Sequence, residues 1–120
     1  MSELETLKDL IATGADDKAA TRALWLALGG TFSRENISNQ SGEYREVPAK
    51  HPCCGYIALG NEMIAIRALD HLTGCEWHLE RRPKSVWVIT PFNRTNHEIL
   101  PRALWMAVVD RLIVNSKAAA

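Results

Sequence analysis

The stretch that decides the fold runs from Asn61 to Lys117 and reads NEMIAIRALDHLTGCEWHLERRPKSVWVITPFNRTNHEILPRALWMAVVDRLIVNSK. Asn61 is a favourable helix N-cap and Gly74 is a favourable helix stop, so the first part of the stretch predicts a helix between them. The apolar spacing predicts that this helix faces the core through Met63, Ile66 and Leu69.

The residues that follow predict a β-hairpin and a closing helix. Apolar and polar residues alternate over 75–80, which indicates a half-buried strand. Residues 86–89 are aromatic and β-branched, which favours a second strand after a turn at 81–85. We predict a loop over 91–96, and a last helix that begins within a turn of Pro101, because proline fits the first turn of a helix. The core stripe of that helix is predicted to comprise Leu104, Val108 and Leu112.

Two shorter helices are predicted before this stretch. Ser2 lies three residues before a glutamate in a capping-box pattern, and the leucine stripe that follows predicts a helix to about Ala12. The pair 13–14 breaks this helix, and Asp16 then belongs to a second N-cap segment with an acid in the first turn. The second helix is predicted to stop at the glycine pair 29–30.

The remaining segments complete a single-domain α+β prediction. Residues 31–50 are polar and predict a long loop of the kind that binds partners or lacks order. Residues 51–59 fit either a short strand or an extended segment, and residues 118–120 predict a frayed tail. The chain, 1–120, is therefore predicted to have N-terminal helices, a small antiparallel sheet including a hairpin near 75–90, and a C-terminal helix packed on it.

Composition disfavours several classes of partner. Lys and Arg together number 14, as do Asp and Glu, so no net charge attracts nucleic acid or an anionic membrane. No segment reaches the ~18 consecutive apolar residues of a membrane span. The N-terminus lacks a basic region followed by an apolar core, and the odd cysteine count with an adjacent pair at 53–54 indicates a reducing compartment. The sequence therefore predicts a cytosolic protein.

Two short clusters of His and Cys raise the alternative of a zinc site. The candidate ligands are His51, Cys53, Cys75 and His78. The adjacent side chains of Cys53 and Cys54 diverge, however, and Cys75 and His78 fall on opposite faces of the predicted strand. A cysteine nucleophile paired with a histidine is a second alternative. We favour buried, apolar cysteines, and predict no metal and no other cofactor.

Motifs of common enzymes are absent from the sequence. There is no nucleophile elbow, no phosphate-binding glycine loop, no dinucleotide fingerprint and no zinc-protease helix. Their absence favours a non-enzymatic protein, with a small Cys- or zinc-dependent enzyme as the alternative.

Five cations lie around the predicted turn and the start of the last helix. They are Arg81, Arg82, Lys84, Arg94 and Arg102. Together they form a candidate site for an anionic ligand, because arginine forms paired hydrogen bonds with oxyanions. A solvated turn without a ligand is the simpler interpretation, and the sequence favours it.

The four tryptophans are predicted to lie in the core. They are Trp25, Trp77, Trp87 and Trp105. One that stays exposed would mark a contact surface, and aromatic residues buried between identical subunits would make the protein a homo-oligomer.

Several packing motifs occur together in this chain. They are Ala12-Thr13-Gly14, Leu24-Trp25-Leu26-Ala27-Leu28-Gly29, Ala68-Leu69, Gly74-Cys75-Glu76-Trp77-His78-Leu79-Glu80-Arg81, Val86-Trp87-Val88 and Pro101-Arg102-Ala103-Leu104. Over more than half of the chain this pattern resembles small phage and prophage proteins of the ABA-sandwich type, and it is weakest over 31–55. The resemblance implies an accessory phage product without an established catalytic site. It implies a binding protein that inhibits a bacterial immune component or sequesters a signalling nucleotide, so its partner would be a host protein or a small anionic ligand.

Overall fold

The computed structural model describes residues 2–29, 31–37, 44–47 and 59–119, with the backbone alone for 31–37, 44–47 and 119. Its elements are α1 (Glu3–Thr13), α2 (Asp17–Ala27), β1 (Thr31–Ile37), β2 (Tyr44–Val47), α3 (Glu62–Thr73), β3 (His78–Arg82), β4 (Ser85–Ile89), β5 (Arg94–His97) and α4 (Leu100–Ala119). The α+β class predicted from the sequence is confirmed. Of the segment predicted as strand or extended chain, 51–58 lie outside the described residues, and Leu59 is buried.

Side-chain caps begin three of the helices. Ser2, Asp16 and Asn61 each accept a hydrogen bond from the backbone N–H three residues later, at 3.2, 3.1 and 3.3 Å. Gly14 and Gly74 end α1 and α3 in the left-handed conformation, with φ of 69° and 63°. These positions agree with the sequence prediction. Polar side chains accept from the free N–H groups at helix starts, and glycine adopts the positive φ at helix ends without strain.

The sheet formed by the hairpin has three antiparallel strands in the order β3, β4 and β5. Residues directly opposite each other share a face, so Val88 shares one face with Thr95, and Trp87 shares the other with Glu80. Val88 is fully buried and Thr95 is hydrogen-bonded to α4. We call the face toward α4 the inner face and the face of Trp87 the outer face.

Helix α4 lies at the centre of the helical layer. All residues of the segment 103–110 are buried, and the helix packs against α1 and α3 as well as against β4 and β5 of the sheet. A helix that is apolar on most sides is expected where neighbours surround it. The largest fully buried side chains are Ile11, Leu24, Trp25, Leu69, Val88, Leu104, Trp105, Val108 and Val109. Within the described ranges, no helix is long and apolar enough to cross a membrane.

The prediction of one long loop over 31–50 is wrong for two segments. Strands β1 and β2 pair antiparallel, with Thr31 opposite Val47 and Ile37 opposite Tyr44. Thr, Ile, Tyr and Val are residue types that favour the pleated backbone of a strand. This polar segment therefore contains enough strand-forming residues to form a pair of strands. The intervening residues 38–43 and the end of the segment, 48–50, lie outside the described ranges.

One predicted core face and one predicted chain end are corrected by the structure. In α3, Met63 is 60% exposed, while Ala65 and Ala68 are buried toward the core. Small alanines let α3 approach α4 closely, but they carry little weight in an apolar pattern. At the other end of the chain, α4 continues to Ala119, which takes it into the segment predicted as a frayed tail.

The predicted hairpin is present, with different strand limits. Gly74 and Cys75 both have positive φ, 63° and 66°, so the turn that ends α3 delays the extended chain until His78. The predicted loop over 91–96 is present at 91–93 and wrong at 94–96, since Arg94–His97 forms β5. In this short polar strand only Thr95 is a strong strand former. The extended conformation is therefore stabilised by pairing with β4 and not by the intrinsic preference of its residues.

Candidate functional site

The tip of the β3–β4 hairpin carries a concentrated positive charge. Strand pairing extends to Arg82 opposite Ser85, which leaves Pro83 and Lys84 as a two-residue turn. The side chains of Arg81, Arg82 and Lys84 are exposed. We call this group of three residues the cationic hairpin.

Arg82 is held in place by two neighbours. Its guanidinium lies 4.4 Å from the ring centre of Trp87, and its Nη2 lies 3.1 Å from Oε2 of Glu80. Trp87 is fixed in turn, because its Nε1 donates to Oγ of Ser85 at 3.0 Å. Cation–π stacking and a charge-assisted hydrogen bond together restrict the guanidinium to one orientation.

The other two cations of the hairpin have no carboxylate partner within the described part of the chain. Among the described residues, neither Arg81 nor Lys84 forms an ion pair. Glu80 therefore neutralises one of the three charges, and its Oε1 also lies 3.8 Å from Nε2 of His78. Two positive charges at the tip remain available to a partner.

Arg94, one of the five predicted cations, lies away from the cationic hairpin. It is opposite Ile89, whereas the hairpin tip is at Ser85. Four residues of extended strand separate these positions by roughly 13 Å. The structure therefore does not bring Arg94 together with the three cations of the turn.

Arg102 serves the junction between α1 and α2. Its Nη1 donates to the carbonyl oxygen of Ile11 at 2.9 Å, and its Nη2 lies 2.8 Å from Oδ2 of Asp17. A Cβ at Gly14 would lie 3.5 Å from Nη2 of Arg102, an ordinary contact distance, so the positive φ of Gly14 and not crowding favours glycine there. The anionic-ligand hypothesis thus narrows to Arg81, Arg82 and Lys84.

The Arg102–Asp17 pair gives a testable pH dependence. The hydrogen bond from Arg102 lowers the pKa of Asp17 below its ordinary value of 3.8, desolvation opposes this effect, and the charge of Arg102 lowers the pKa further. A lowered folded-state pKa means that the pair stabilises the fold above about pH 4 and that this contribution is lost as the pH falls through the folded pKa. We expect Arg102→Met to raise the pKa of Asp17 toward 3.8, measured by NMR titration of its carboxyl carbon. Arg67→Met is the control, and equal Asp17 titration in both variants would contradict the assignment.

Of the weak metal candidates, two lie within the described residues. Cys75 and His78 both line a depression of about 520 Å³ at the end of the sheet away from the hairpin tip. Cys75 is exposed, so the prediction that this cysteine is buried is wrong. The reason is that Cys75 belongs to the turn after α3 and not to the strand that was predicted to bury it. In the parts of the chain that the structure describes, no three His, Cys, Asp or Glu side chains are placed to hold a metal, while His51 and Cys53 lie outside those parts.

The tryptophans divide into two pairs. Trp25 and Trp105 are buried, as predicted, whereas Trp77 and Trp87 are half-buried. Trp77 donates from Nε1 to Oδ1 of Asp70 at 2.6 Å, which anchors it at the end of α3. The outward position of Trp87 has a sequence signal, since it alternates with Val86 and Val88.

A polar network around the buried residues Thr95 and Asp110 is not indicated by the sequence. The carboxylate of Asp110 in α4 accepts from the hydroxyl of Thr95 in β5, and its Oδ1 lies 2.8 Å from Nζ of Lys8 in α1. These three residues are far apart in the sequence, so no spacing pattern reveals them. The network joins α1, β5 and α4, which points to a structural role.

No protein-family model matches the chain, and no curated protein or solved structure is significantly similar to it. A proposal about its function therefore rests on the geometry of its own residues and on the resemblance described above.

Proposed function

We propose that this chain is a non-enzymatic phage-type binding protein that acts in the host cytosol against a bacterial defence system. It engages an anionic target, either an immune protein or a signalling nucleotide, through the cationic hairpin. The observation that carries this proposal is the exposure of Arg81, Arg82 and Lys84 together at one tight turn.

The charge distribution supports a binding role for this turn. The whole chain is neutral, so its long-range field does not select an anionic partner. A local group of cations attracts a partner only at that place, and this gives specificity of orientation. The fixed guanidinium of Arg82 adds a directional donor, because paired N–H groups match the geometry of carboxylates and phosphates.

A small cysteine-dependent enzyme is the second candidate function. The observation in its favour is that Cys75 and His78 line the same depression. Thiol titration of the native protein tests this alternative directly. A thiol that reacts much faster than free cysteine would support it, whereas ordinary reactivity would leave the binding function as the better proposal.

A phage-infection assay tests the proposed function. The chain is expressed in bacterial strains that each carry one defence system, and each strain is infected with a phage that this system blocks. We expect plaque formation to recover in at least one strain, because the protein neutralises that system. The double variant Arg81→Gln and Lys84→Gln should lose this effect, since it removes these two cations of the hairpin.

The matched control for this assay removes two cations elsewhere. Arg67 on α3 and Lys117 on α4 are both exposed, so the double variant Arg67→Gln and Lys117→Gln changes the net charge equally. It should restore plaques as well as the parent does. Failure of the parent chain in every strain would count against the anti-defence role, and equal loss in both double variants would count against the hairpin as its site.

A further inference from the structure

We propose that the outer face of the three-stranded sheet, with Trp87 at its centre and the cationic hairpin at one end, is a docking surface for a protein partner that presents acidic side chains. This inference rests on the proposed binding function and names the chemistry of the partner. It extends the site from three cations at a turn to a face with an aromatic centre.

Trp87 occupies the middle of this face. It lies on the central strand, opposite Glu80 of β3 and Asn96 of β5. The flanking residues of β4, Val86 and Val88, point to the inner face and are buried there, so the indole is on the side away from α4. The outer face thus presents a large aromatic ring between two rows of polar side chains.

Side chains around the indole remain accessible. The exposed fractions are 62% for His78, 43% for Glu80 and 49% for Arg82. Asn96 and Arg94 on β5 are also exposed. A half-buried tryptophan within a polar, accessible rim matches the arrangement of protein interfaces, where an apolar centre is surrounded by polar residues.

The centre of the face is already ordered. Stacking of Arg82 over the indole and the hydrogen bond from the indole to Ser85 fix both large side chains before any partner arrives. Association costs less conformational entropy when contact residues are fixed in advance. Tryptophan and arginine are also the residue types that dominate binding energy in protein interfaces.

The charges of this surface select an acidic partner. Arg82 and Arg94 lie on the outer face, Lys84 extends from the hairpin turn at its end, and Glu80 is the one carboxylate among these four residues. Arg81 is opposite Val86 and therefore belongs to the inner side of the strand. Three positive charges against one negative charge make the surface cationic within a neutral chain. Carboxylates on a protein partner complement this surface. Glu80 in its middle would repel a uniformly charged polyanion such as a nucleic acid strand.

The shape of the face favours a protein over a small nucleotide. Small-ligand sites enclose most of the ligand surface in a cleft. The depression of about 520 Å³ lies at the opposite end of the sheet, and another of about 260 Å³ lies between α1 and α2. Neither is lined by a residue of the cationic hairpin or by Trp87, and the larger one reaches the face only at its edge, where His78 lies. An open face with an aromatic centre suits the broad surface of a protein.

Titration of the isotope-labelled full chain tests the inference. The probe is a short, terminally blocked peptide in which Glu alternates with Leu, and the comparison probes are its Lys–Leu counterpart, ATP and single-stranded oligouridine. We expect saturable shifts from the Glu–Leu peptide at the amides of Glu80 and Arg82 and at the indole N–H of Trp87. The Lys–Leu peptide, ATP and oligouridine should leave these signals unchanged at the same concentrations.

Two variants measure the contribution of the centre. Trp87→Thr keeps a strand-forming residue and should weaken peptide binding about thirty-fold, as expected for a tryptophan that dominates an interface. Arg82→Gln should weaken it about tenfold. Arg67→Gln is the control, and thermal unfolding of each variant confirms that it is folded under the conditions of the titration.

The outcomes separate this inference from the proposed function. Absence of saturable binding by the Glu–Leu peptide, or shifts confined to another surface, would overturn the docking face. Saturable binding of ATP or oligouridine at Trp87 would replace the protein partner by a nucleotide or a nucleic acid. If Trp87→Thr retained full anti-defence activity while the double hairpin variant lost it, the docking face would fail and the proposed function would stand.

Discussion

Replacing Trp105 by alanine is expected to lower the free energy of unfolding by about 3–5 kcal/mol. Trp105 is 0% exposed and lies in the buried segment of α4, the helix against which α1, α3, β4 and β5 pack. Removal of the indole loses the favourable free energy of burying its apolar surface. It also leaves a cavity that the tightly packed neighbours fill only in part. Domains of this size are stable by about 5–15 kcal/mol, so the variant should unfold at a much lower urea concentration.

The control for this experiment is Met63→Ala. Met63 is 60% exposed, so the same kind of truncation should change the free energy of unfolding by less than about 0.5 kcal/mol. Urea unfolding followed by circular dichroism measures both variants. Comparable losses in the two would contradict the placement of Trp105 in the core and of Met63 on the surface.

Replacing Asp110 by alanine is expected to lower the free energy of unfolding by about 3 kcal/mol. The change leaves the hydroxyl of Thr95, a residue only 2% exposed, without its acceptor. It also leaves Lys8 without its carboxylate, although the Lys8 side chain is 33% exposed and its charge can be hydrated. The buried hydroxyl is therefore expected to account for more of the loss than the ion pair.

Asp110→Asn separates these two contributions. The amide oxygen can still accept from Thr95, while the charge that pairs with Lys8 is lost, so the variant should be about 1 kcal/mol less stable than the parent. A double-mutant cycle with Lys8→Met measures the remaining coupling by urea unfolding. Equal stability of the alanine and asparagine variants would show that the hydroxyl contributes little.

Local signals predict the helices well because their ends depend on single residues. Ser2, Asp16 and Asn61 cap their helices through side-chain oxygens, and Gly14 and Gly74 end theirs through positive φ. These effects act within one turn of the chain. The sequence therefore carries them without knowledge of the tertiary structure.

Strand β5 and the core face of α3 depend on tertiary contacts instead. Arg94–His97 is polar, and it becomes a strand because β4 offers it a pairing edge and Asp110 offers Thr95 an acceptor. In α3, Ala65 and Ala68 face the core where the apolar pattern favoured Met63. A pattern of large apolar residues cannot reveal a face that is built from small ones.

The candidate site was predictable where its residues are neighbours in the sequence, and not where their positions depend on tertiary structure. Arg81, Arg82 and Lys84 are close in the sequence and share one turn, so their proximity follows from the hairpin. Arg94 and Arg102 are further along the chain, and only the strand register and the α1–α2 junction show that they lie elsewhere. The stacking of Arg82 on Trp87 likewise requires the register.

The central position of α4 has a consequence for how the protein forms during synthesis. This helix leaves the ribosome after the other described elements, yet α1, α3 and the sheet bury their apolar sides against it. Those sides stay uncovered while the chain is being elongated, which is the period when nascent polypeptides are most prone to associate with one another. Stable structure is therefore expected only once α4 has been released from the exit tunnel, and chaperone protection would matter most in the interval before that.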